Sequence, residues 1–333
     1  MVEHPLAPAA SRRTVMAGLP LAAVTAALPA TAAEPLWTRQ YQTRKDAVTL
    51  TLYRKRQTAP RAGEPKLPVL FLVHGSSVSA LPSFDLAVPG AGEYSLMNVF
   101  ARFGFDVWTM DFAGYGRSPA PGNADIAAGV ADLRAGTALV AHETGIDRFH
   151  FFGESSGAIR AGAFAVAEPE RVDRLVLEAF TYTGKGSPTL GKRAEQLAYY
   201  KTHDRRPRGE DMIRSIFTRD RAGTSDLRVA DALVKAEMPF GDSVPTGTYL
   251  DMTANLPLVD PKRVQAPVLL IRGEYDGIST EVDLLDFFTQ LPNADRQYAV
   301  IAGAAHSIVM GVNRAGLWHT MHAFLTMPKT VQI

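Results

Sequence analysis

The sequence predicts an α/β protein whose core is a mostly parallel, doubly wound β-sheet, with a helical cap inserted into it. Short apolar runs rich in β-branched and aromatic residues alternate with longer segments of helical periodicity from residue 37 onward. Strand and helix in regular alternation indicate a parallel sheet. Several runs are apolar almost throughout, which is typical of strands covered on both faces.

Strands are predicted at seven runs: AVTLTLY, LPVLFLVHG, FDVWTMDFAG, RFHFFGES, RLVLEAF, APVLLIRGEYD and RQYAVIAGAAH. Helical periodicity follows three of them, in ADIAAGVADLRAGTALVAHETG, GAIRAGAFAVAEPE and EVDLLDFFTQLP. These segments recur in the order that a doubly wound sheet requires.

One segment interrupts the alternation, and we interpret it as the cap. Residues 181–260 contain the helix candidates SPTLGKRAEQLAYY, EDMIRSIFTR and VADALVKAEM but no strong strand run. Residues 34–180 and 261–333 then form the two parts of the core. The basic stretch KTHDRRPRG inside the cap is interpreted as a solvated loop between helices.

The N-terminus has the pattern of an export signal. Arg12 and Arg13 precede an alanine-rich apolar run, and Ala30-Thr31-Ala32 fits a small-x-small cleavage site. The arginine pair resembles the twin-arginine signal, so we expect residues 1–33 to be removed and the protein to be periplasmic or secreted. A disordered tail and a membrane anchor are the alternatives.

Composition excludes several function classes. The sequence contains no cysteine, which rules out thiolate catalysis, disulfides and sulfur-ligated metal sites. The formal net charge is +1, so no field of a single sign favours nucleic acid. We expect no cofactor, no nucleic acid partner and no membrane contact after signal removal; the oligomeric state is not predicted.

The stretch FFGESSGA contains the strongest chemical motif. Gly153, Ser155 and Gly157 form the frame G-x-S-x-G. Ser156 cannot be its centre, because the positions two residues before and after it are Glu154 and Ala158. Such a frame fits a sharp strand-to-helix turn that exposes a nucleophilic serine, and the next backbone amide, that of Ser156, points to the oxyanion. We expect Glu154 to be a turn residue that faces away.

With a strand before this frame and a helix after it, the chain resembles the α/β-hydrolase superfamily over residues 37–328. The resemblance implies an eight-stranded sheet. In HGSS the amide of Ser76 would be the second oxyanion donor, and His74 would support the loop. In DFAGYGRS, Asp111 and its glycines would fix the backbone turn.

Histidine at position 306 is the expected general base. The superfamily order is serine, acid, histidine, and His306 in GAAHSIVM follows the last predicted strand. His319 and His322 have the spacing of a helical metal pair but lack a third ligand nearby, so no metal is predicted. The remaining histidines of helices, strands and cap are expected to pack or face solvent: His142, His150 and His203.

Two residues can be the acid that orients His306. Asp276 follows the strand run APVLLIRGEYD, where the resemblance puts the usual acid, and Glu178 ends the run RLVLEAF, where some relatives carry theirs. We favour Asp276, because aspartate followed by glycine after that strand is the commoner arrangement.

These residues predict acyl transfer to Ser155 followed by hydrolysis, with small carboxylic esters or lactones as substrates. Leu81, Phe84 and Tyr182 are candidates for an apolar substrate pocket. The alternatives are hydrolysis of a carbon–carbon or amide bond by the same residues, and a ligand-binding scaffold of this fold that has no activity.

Overall fold

A twisted eight-stranded sheet lies at the centre of the computed structural model, which describes residues 1–2 and 35–328. In chain order the strands are β1 (Trp37–Lys45), β2 (Val48–Arg56), β3 (Val69–Val73), β4 (Asp106–Met110), β5 (Phe149–Glu154), β6 (Val172–Glu178), β7 (Arg205–Pro207), β8 (Ser243–Pro245), β9 (Val268–Gly273) and β10 (Arg296–Ile301). The helices are α1 (Ala80–Phe84), α2 (Leu96–Arg102), α3 (Ile126–Thr144), α4 (Ser156–Ala167), α5 (Pro188–Ala194), α6 (Leu197–Thr202), α7 (Glu210–Ser215), α8 (Leu227–Glu237), α9 (Gly247–Leu250), α10 (Glu281–Thr289) and α11 (Arg314–Leu325).

The strand order in the sheet is β1-β2-β4-β3-β5-β6-β9-β10. Strand β2 pairs antiparallel with β1 and β4, and the pairs from β4 to β10 are parallel. The predicted fold class is therefore confirmed, and each predicted run contains a strand. Strand β1 was not among those runs, because its residues WTRQYQTRK are mostly polar and one face of this edge strand is exposed.

Helices cover both faces of the sheet, as the apolar strand runs predict. Phe151 belongs to the apolar cluster that includes residues of α3, α4 and α10, whereas its neighbour Phe152 packs with residues of α2 and α11. Successive side chains of a strand point to opposite faces. A strand buried on both faces must therefore be apolar at every position, as β5 nearly is.

The carboxyl ends of the parallel strands meet along one edge of the sheet. Glu154 of β5 pairs in register with Glu178 of β6, and Glu178 pairs with Ile271 of β9. The loops that follow β3, β5, β6, β9 and β10 therefore converge at this edge, where ligand sites of open α/β sheets lie.

Residues 181–260 contain α5 to α9 and the short antiparallel pair β7 and β8. Apolar residues of this segment, including Ile213, Phe217 and Leu233, pack with Val78 and Leu86 of the segment after β3. This segment therefore lies against the loop that follows β3.

The interpretation of KTHDRRPRG as a solvated loop is wrong. Its residues Arg205–Pro207 form β7, and the Arg208 side chain is 1% exposed because it forms an ion pair with Glu237. Arg205 donates to the carbonyl oxygens of Gly114 and Ser243. The basic residues are ordered by acceptors that the local sequence does not reveal.

The predicted export signal, residues 1–33, lies outside the described residues except for its first two positions. Within the described part of the chain, no helix combines the length and the apolar character that crossing a bilayer requires.

Candidate active site

Ser155 lies at the turn between β5 and α4 with backbone angles φ 57° and ψ −123°. A residue with a side chain rarely adopts positive φ, and such a conformation persists only where the surroundings enforce it. Here the Ser155 amide donates to the carbonyl oxygen of Glu178 at 2.9 Å. The turn leaves Ser155 partly exposed while both of its neighbours are buried.

The first frame glycine is required by close packing inside this turn. A Cβ atom at Gly153 would lie 2.6 Å from the Cα atom of Ala158, a distance at which atoms collide. Position 153 of the frame must therefore be glycine, because any side chain there would collide with the backbone of Ala158.

The structure brings Ser155, His306 and Asp276 together from three distant segments. The Oγ atom of Ser155 lies 2.9 Å from Nε2 of His306, and Nδ1 of His306 lies 2.8 Å from Oδ1 of Asp276. Because a carboxylate only accepts hydrogen bonds, Nδ1 carries the proton and Nε2 is free to accept from the serine hydroxyl. This is the arrangement of a nucleophile, a base and an orienting acid.

Backbone amides hold the Asp276 carboxylate in place. Oδ1 of Asp276 also accepts from the amides of Ile278 at 2.8 Å and Ser279 at 3.0 Å. These donors come from the turn DGIS that follows β9. These backbone bonds fix the orientation of the carboxylate toward the imidazole of His306. The Asp276 side chain is fully buried.

Glu178, the alternative acid, is not hydrogen-bonded to His306. It is fully buried at the end of β6, where its Oε1 accepts from the amide of Ile308 at 3.4 Å. Burial raises the pKa of Glu178 well above its ordinary value, and the negative charges of Glu154 and Asp276 raise it further. A neutral carboxyl group is the expected state of Glu178 near pH 7.

Two backbone amides flank the serine where an oxyanion would form. Ser156 begins α4, and a Cβ atom at Gly75 would lie 3.5 Å from that of Ser155, so the loop carrying Ser76 runs directly beside the nucleophile. Among the described residues, neither the Ser76 amide nor the Ser156 amide has a hydrogen-bond partner. Free amides at a helix start can stabilise a developing negative charge.

His74 holds the loop after β3. It is fully buried, its Nδ1 lies 2.7 Å from the Gly75 carbonyl oxygen, and its Nε2 accepts from the Phe112 amide at 3.3 Å. Burial, and then the charge of Arg160, lower the pKa of His74 to about 3. The imidazole is therefore neutral, and its bonds connect the loop after β3 to the loop after β4.

Asp111 organises the loop after β4. Its Oδ2 accepts from the Tyr53 hydroxyl and the Arg117 amide, and its Oδ1 accepts from the Ala80 amide. A Cβ atom at Gly116 would lie 2.4 Å from the Asp111 carboxyl group. These contacts are structural.

A small cavity of about 50 Å³ contains the Ser155 hydroxyl. Its walls combine residues 75–78 and Met310 with cap residues that sequence reasoning did not single out: Arg193, Ile216, Arg219 and Leu233. Pockets for drug-sized ligands measure about 300–1,000 Å³. The space beside the serine therefore fits only a short group.

Glu154 is the last residue of β5 and is among the residues that line this cavity, so the expectation that it is a turn residue is wrong. Burial raises the pKa of its carboxyl group to about 7. The position inside the frame G-x-S-x-G, at the last residue of β5, is the signal that could have identified it.

Leu81, Phe84 and Tyr182, the predicted substrate contacts, are not among the described residues that line the serine cavity. Phe84 is completely buried and packs edge-on against Phe152 in the core. Leu81 lines a separate surface groove beside α8, and Tyr182 packs on Phe287. The short helix α1 directs its apolar side chains away from the serine, and no local pattern reveals that direction.

The sheet order, the strand-to-helix turn at Ser155 and the convergence of loops at the carboxyl edge define the class of the molecule, an α/β hydrolase. The family model described as serine aminopeptidase, S33, matches residues 88–312, and the chain belongs to this family. The predicted superfamily is therefore confirmed.

Solved structures of the same fold include several hydrolases. A carboxylesterase structure from the ammonia-oxidizing thaumarchaeon Nitrososphaera gargenis has a TM-score of 0.62 at 16% identity, covering 86% of this chain and 97% of that one. A carboxylesterase from Bacillus subtilis gives 0.59 at 17% identity, with 88% and 93% covered. An enol-lactonase from Burkholderia xenovorans gives 0.56 at 19% identity, with 85% and 98% covered. A search of curated proteins finds no match.

Proposed function

We propose that this protein is an exported serine hydrolase that cleaves small carboxylic esters or lactones through an acyl-enzyme on Ser155. The observation that carries the proposal is the continuous hydrogen-bond chain from Ser155 Oγ to His306 Nε2, at 2.9 Å, and from His306 Nδ1 to Asp276 Oδ1, at 2.8 Å. A serine hydroxyl is a weak nucleophile until a neighbouring base accepts its proton.

The first half of the reaction forms the acyl-enzyme. His306 Nε2 accepts the hydroxyl proton while Ser155 Oγ bonds to the ester carbonyl carbon, and the carbonyl oxygen becomes an oxyanion that accepts hydrogen bonds from the Ser76 and Ser156 amides. The intermediate then collapses, the bond to the alcohol oxygen breaks, and His306 gives its proton to the leaving alcohol. Asp276 stabilises the imidazolium while that proton is held.

The second half releases the acid. A water molecule gives a proton to His306 Nε2 and bonds to the acyl carbon, and the oxyanion again forms between the two amides. The bond from carbon to Ser155 Oγ breaks, and Ser155 recovers its proton from His306. No redox step or external co-reactant other than water is needed.

The charges around the cavity favour an ester over a peptide with a free amino terminus. Arg193 and Arg219 line the cavity, and the Glu154 carboxyl group, with a pKa of about 7, is only partly ionised at neutral pH. A substrate ammonium group would therefore be repelled by Arg193, whereas the charge of Arg219 is offset by its ion pair with Asp220. Hydrolysis of an amide or carbon–carbon bond, and a scaffold without activity, are the competing functions.

Covalent labelling tests the proposal directly. A fluorophosphonate probe should label the wild type and fail to label Ser155→Ala, because the probe reacts only with an activated serine. Ser156→Ala is the matched control: its hydroxyl is buried at the adjacent position, and this variant should still be labelled. No labelling of the wild type would favour the scaffold without activity, and loss of labelling in Ser156→Ala but not in Ser155→Ala would contradict Ser155 as the nucleophile.

Turnover then separates the reaction types. Wild-type protein should hydrolyse short-chain 4-nitrophenyl esters faster than long-chain ones, since the cavity is small. It should release little 4-nitroaniline from aminoacyl anilides. The opposite preference would assign the protein to amide hydrolysis.

Export is part of the same proposal and has a separate test. Arg12 and Arg13 precede the apolar run of residues 14–33. Replacing both by lysine keeps the charge but removes the paired arginines, so the double variant should accumulate as uncleaved precursor in a bacterial host that has the twin-arginine pathway. Equal export of wild type and double variant would contradict recognition of the arginine pair.

A further inference from the structure

An arginine side chain without a carboxylate partner lies in the wall of the serine cavity. Arg193 of α5 lines the cavity beside Ser155, and its Nη1 is buried with no hydrogen-bond partner among the described residues. Arg193 as a whole is partly exposed, but a buried guanidinium nitrogen without an acceptor is costly. The missing partner suggests that a bound molecule completes the site.

Nearby groups do not neutralise Arg193. Its guanidinium group lies over the ring of Tyr249 at 5.1 Å, and that of Arg206 lies over the same ring at 4.4 Å. Arg219, which also lines the cavity, already pairs with Asp220 through two hydrogen bonds of 2.8 Å. The Asp220 carboxylate is therefore engaged by another arginine.

Tyr249 connects these two arginines to the loop after β3. Burial raises the pKa of its hydroxyl group, but the charges of Arg206 and Arg193 and the hydrogen bonds to Ser77 and Ser76 together lower it. Tyr249 also contacts the oxyanion loop, since its hydroxyl lies 2.8 Å from Oγ of Ser77. The positive region thus extends to the residues next to the oxyanion site.

The carboxylates nearest the cavity are already engaged: Asp220, which lies close to His306, pairs with Arg219, and Asp276 bonds to His306. Glu154 has no hydrogen bond or ion pair to either cavity arginine among the described residues, and its pKa of about 7 leaves it largely protonated below neutral pH. His306 is bonded to Asp276 and Ser155. The wall of the cavity therefore favours an anion.

We infer that Arg193 binds a carboxylate group of the substrate, so that the preferred substrates are short esters that carry a free carboxylate. The inference rests on the proposed ester hydrolysis and names its substrate class. The planar guanidinium fork matches a carboxylate in a bidentate way. A small cavity that holds both the reacting serine and this fork restricts the carboxylate to a position a few atoms from the scissile bond.

Matched substrates test this inference. The 4-nitrophenyl monoester of succinic acid has a carboxylate in its acyl part, and 4-nitrophenyl butanoate is its neutral counterpart. O-Acetyllactate is an ester that carries its carboxylate on the alcohol side, and ethyl acetate is its neutral counterpart. Acid release from these two esters is measured by pH-stat. We expect wild-type kcat/KM to favour the charged member of at least one pair by about 10- to 100-fold, the range of charge-assisted hydrogen bonds.

Variants assign the preference to Arg193. Arg193→Met should lose most of the preference, measured as the ratio of kcat/KM for the charged ester to kcat/KM for the neutral ester, through a higher KM for the charged ester. Arg193→Lys should keep part of it, because charge remains without the fork. Lys192→Met is the matched control: it removes one positive charge from the next position of α5, which is exposed, and should leave the preference unchanged.

Direct binding separates this inference from the proposed function. Succinate should bind the Ser155→Ala protein in calorimetry, and the affinity should fall at least tenfold when Arg193→Met is added. If the wild type hydrolyses neutral esters but neither prefers charged esters nor binds succinate, the inference is wrong and the proposed function stands. If succinate binds through Arg193 but no ester is hydrolysed, the proposed function is wrong and the anion site stands.

Discussion

A Cβ atom at Gly157 would lie 2.1 Å from the carbonyl oxygen of Val73. The start of α4 and the end of β3 are therefore in backbone contact, separated only by the absence of a side chain. Val73 is followed by the loop that carries Ser76, and Gly157 follows Ser156. This contact keeps the two free amides on either side of the nucleophile.

Gly157→Ala should therefore cost both stability and activity. The added methyl group must push α4 away from β3, which should lower the free energy of unfolding by about 2–3 kcal/mol. Misplacing an oxyanion donor should reduce kcat by about 10²-fold or more. Gly191→Ala is the control, because its added methyl would meet open space within α5. Equal ester turnover in the two variants would contradict the role of the contact.

Asp276 and Glu178 should differ sharply when each carboxyl group is replaced by its amide. Asp276→Asn removes the negative charge that stabilises the His306 imidazolium and holds its tautomer, so kcat should fall about 10³- to 10⁴-fold. The pKa of the Glu178 carboxyl group is raised well above its ordinary value. Glu178→Gln puts a neutral group of the same size in its place, so activity should stay within about tenfold. The reverse result, from ester turnover of folded variants, would make Glu178 the acid.

Glu154 should make the stability of the protein depend on pH. Its folded-state pKa is raised to about 7 by burial, above the ordinary value of 4.5, so the folded state holds the proton more tightly. This contribution to stability is fully present below pH 4.5 and is lost as pH rises through 7. We expect the free energy of unfolding of Glu154→Gln minus that of wild type, measured with urea, to increase between pH 5 and pH 8 by up to about 3 kcal/mol.

Removing Glu154 also removes a negative charge that raises the pKa of Glu178, so both effects have the same sign. A stability difference between Glu154→Gln and wild type that is constant over this range would contradict the prediction.

The sheet and the turn at Ser155 could be predicted because their signals are local. A strand buried on both faces is apolar at every position, and a tight turn requires glycine at fixed offsets from Ser155. Rules of chain connection restrict the pairing order but do not fix it, and the order itself was not predicted. Strand β1 was missed because it has no such local signal. Its residues are mostly polar, and a mostly exposed edge strand of polar residues has the same sequence pattern as a loop.

The cavity lining could not be predicted because it depends on how distant elements pack. Phe84 is apolar and close in sequence to the oxyanion loop, yet it turns into the core against Phe152. Arg193 is one of two basic residues on α5, and only the packing of residues 181–260 selects it over Lys192. Charge and hydropathy along the sequence do not distinguish these outcomes.

The ion pair between Arg208 and Glu237 should be essential for joining the cap to the oxyanion loop. Both side chains are almost fully buried, and Glu237 also accepts from the amide and the hydroxyl of Ser79. Arg208→Met would leave the Glu237 charge buried without its partner, so it should lower the free energy of unfolding by about 3–5 kcal/mol. Adding Glu237→Gln should recover much of this loss, because the uncharged amide can still accept from Ser79.

Arg214→Met provides the comparison, since Arg214 forms its ion pairs on the surface of the cap with a side chain that is 43% exposed. A surface ion pair adds little to stability because solvent screens it, so this variant should remain close to wild type in urea unfolding. The same order should hold for ester turnover, because Arg208 Nη1 also donates to the carbonyl oxygen of Ser77, at 3.4 Å, in the oxyanion loop. If Arg208→Met costs no more than Arg214→Met in both measurements, the buried pair does not join the two parts.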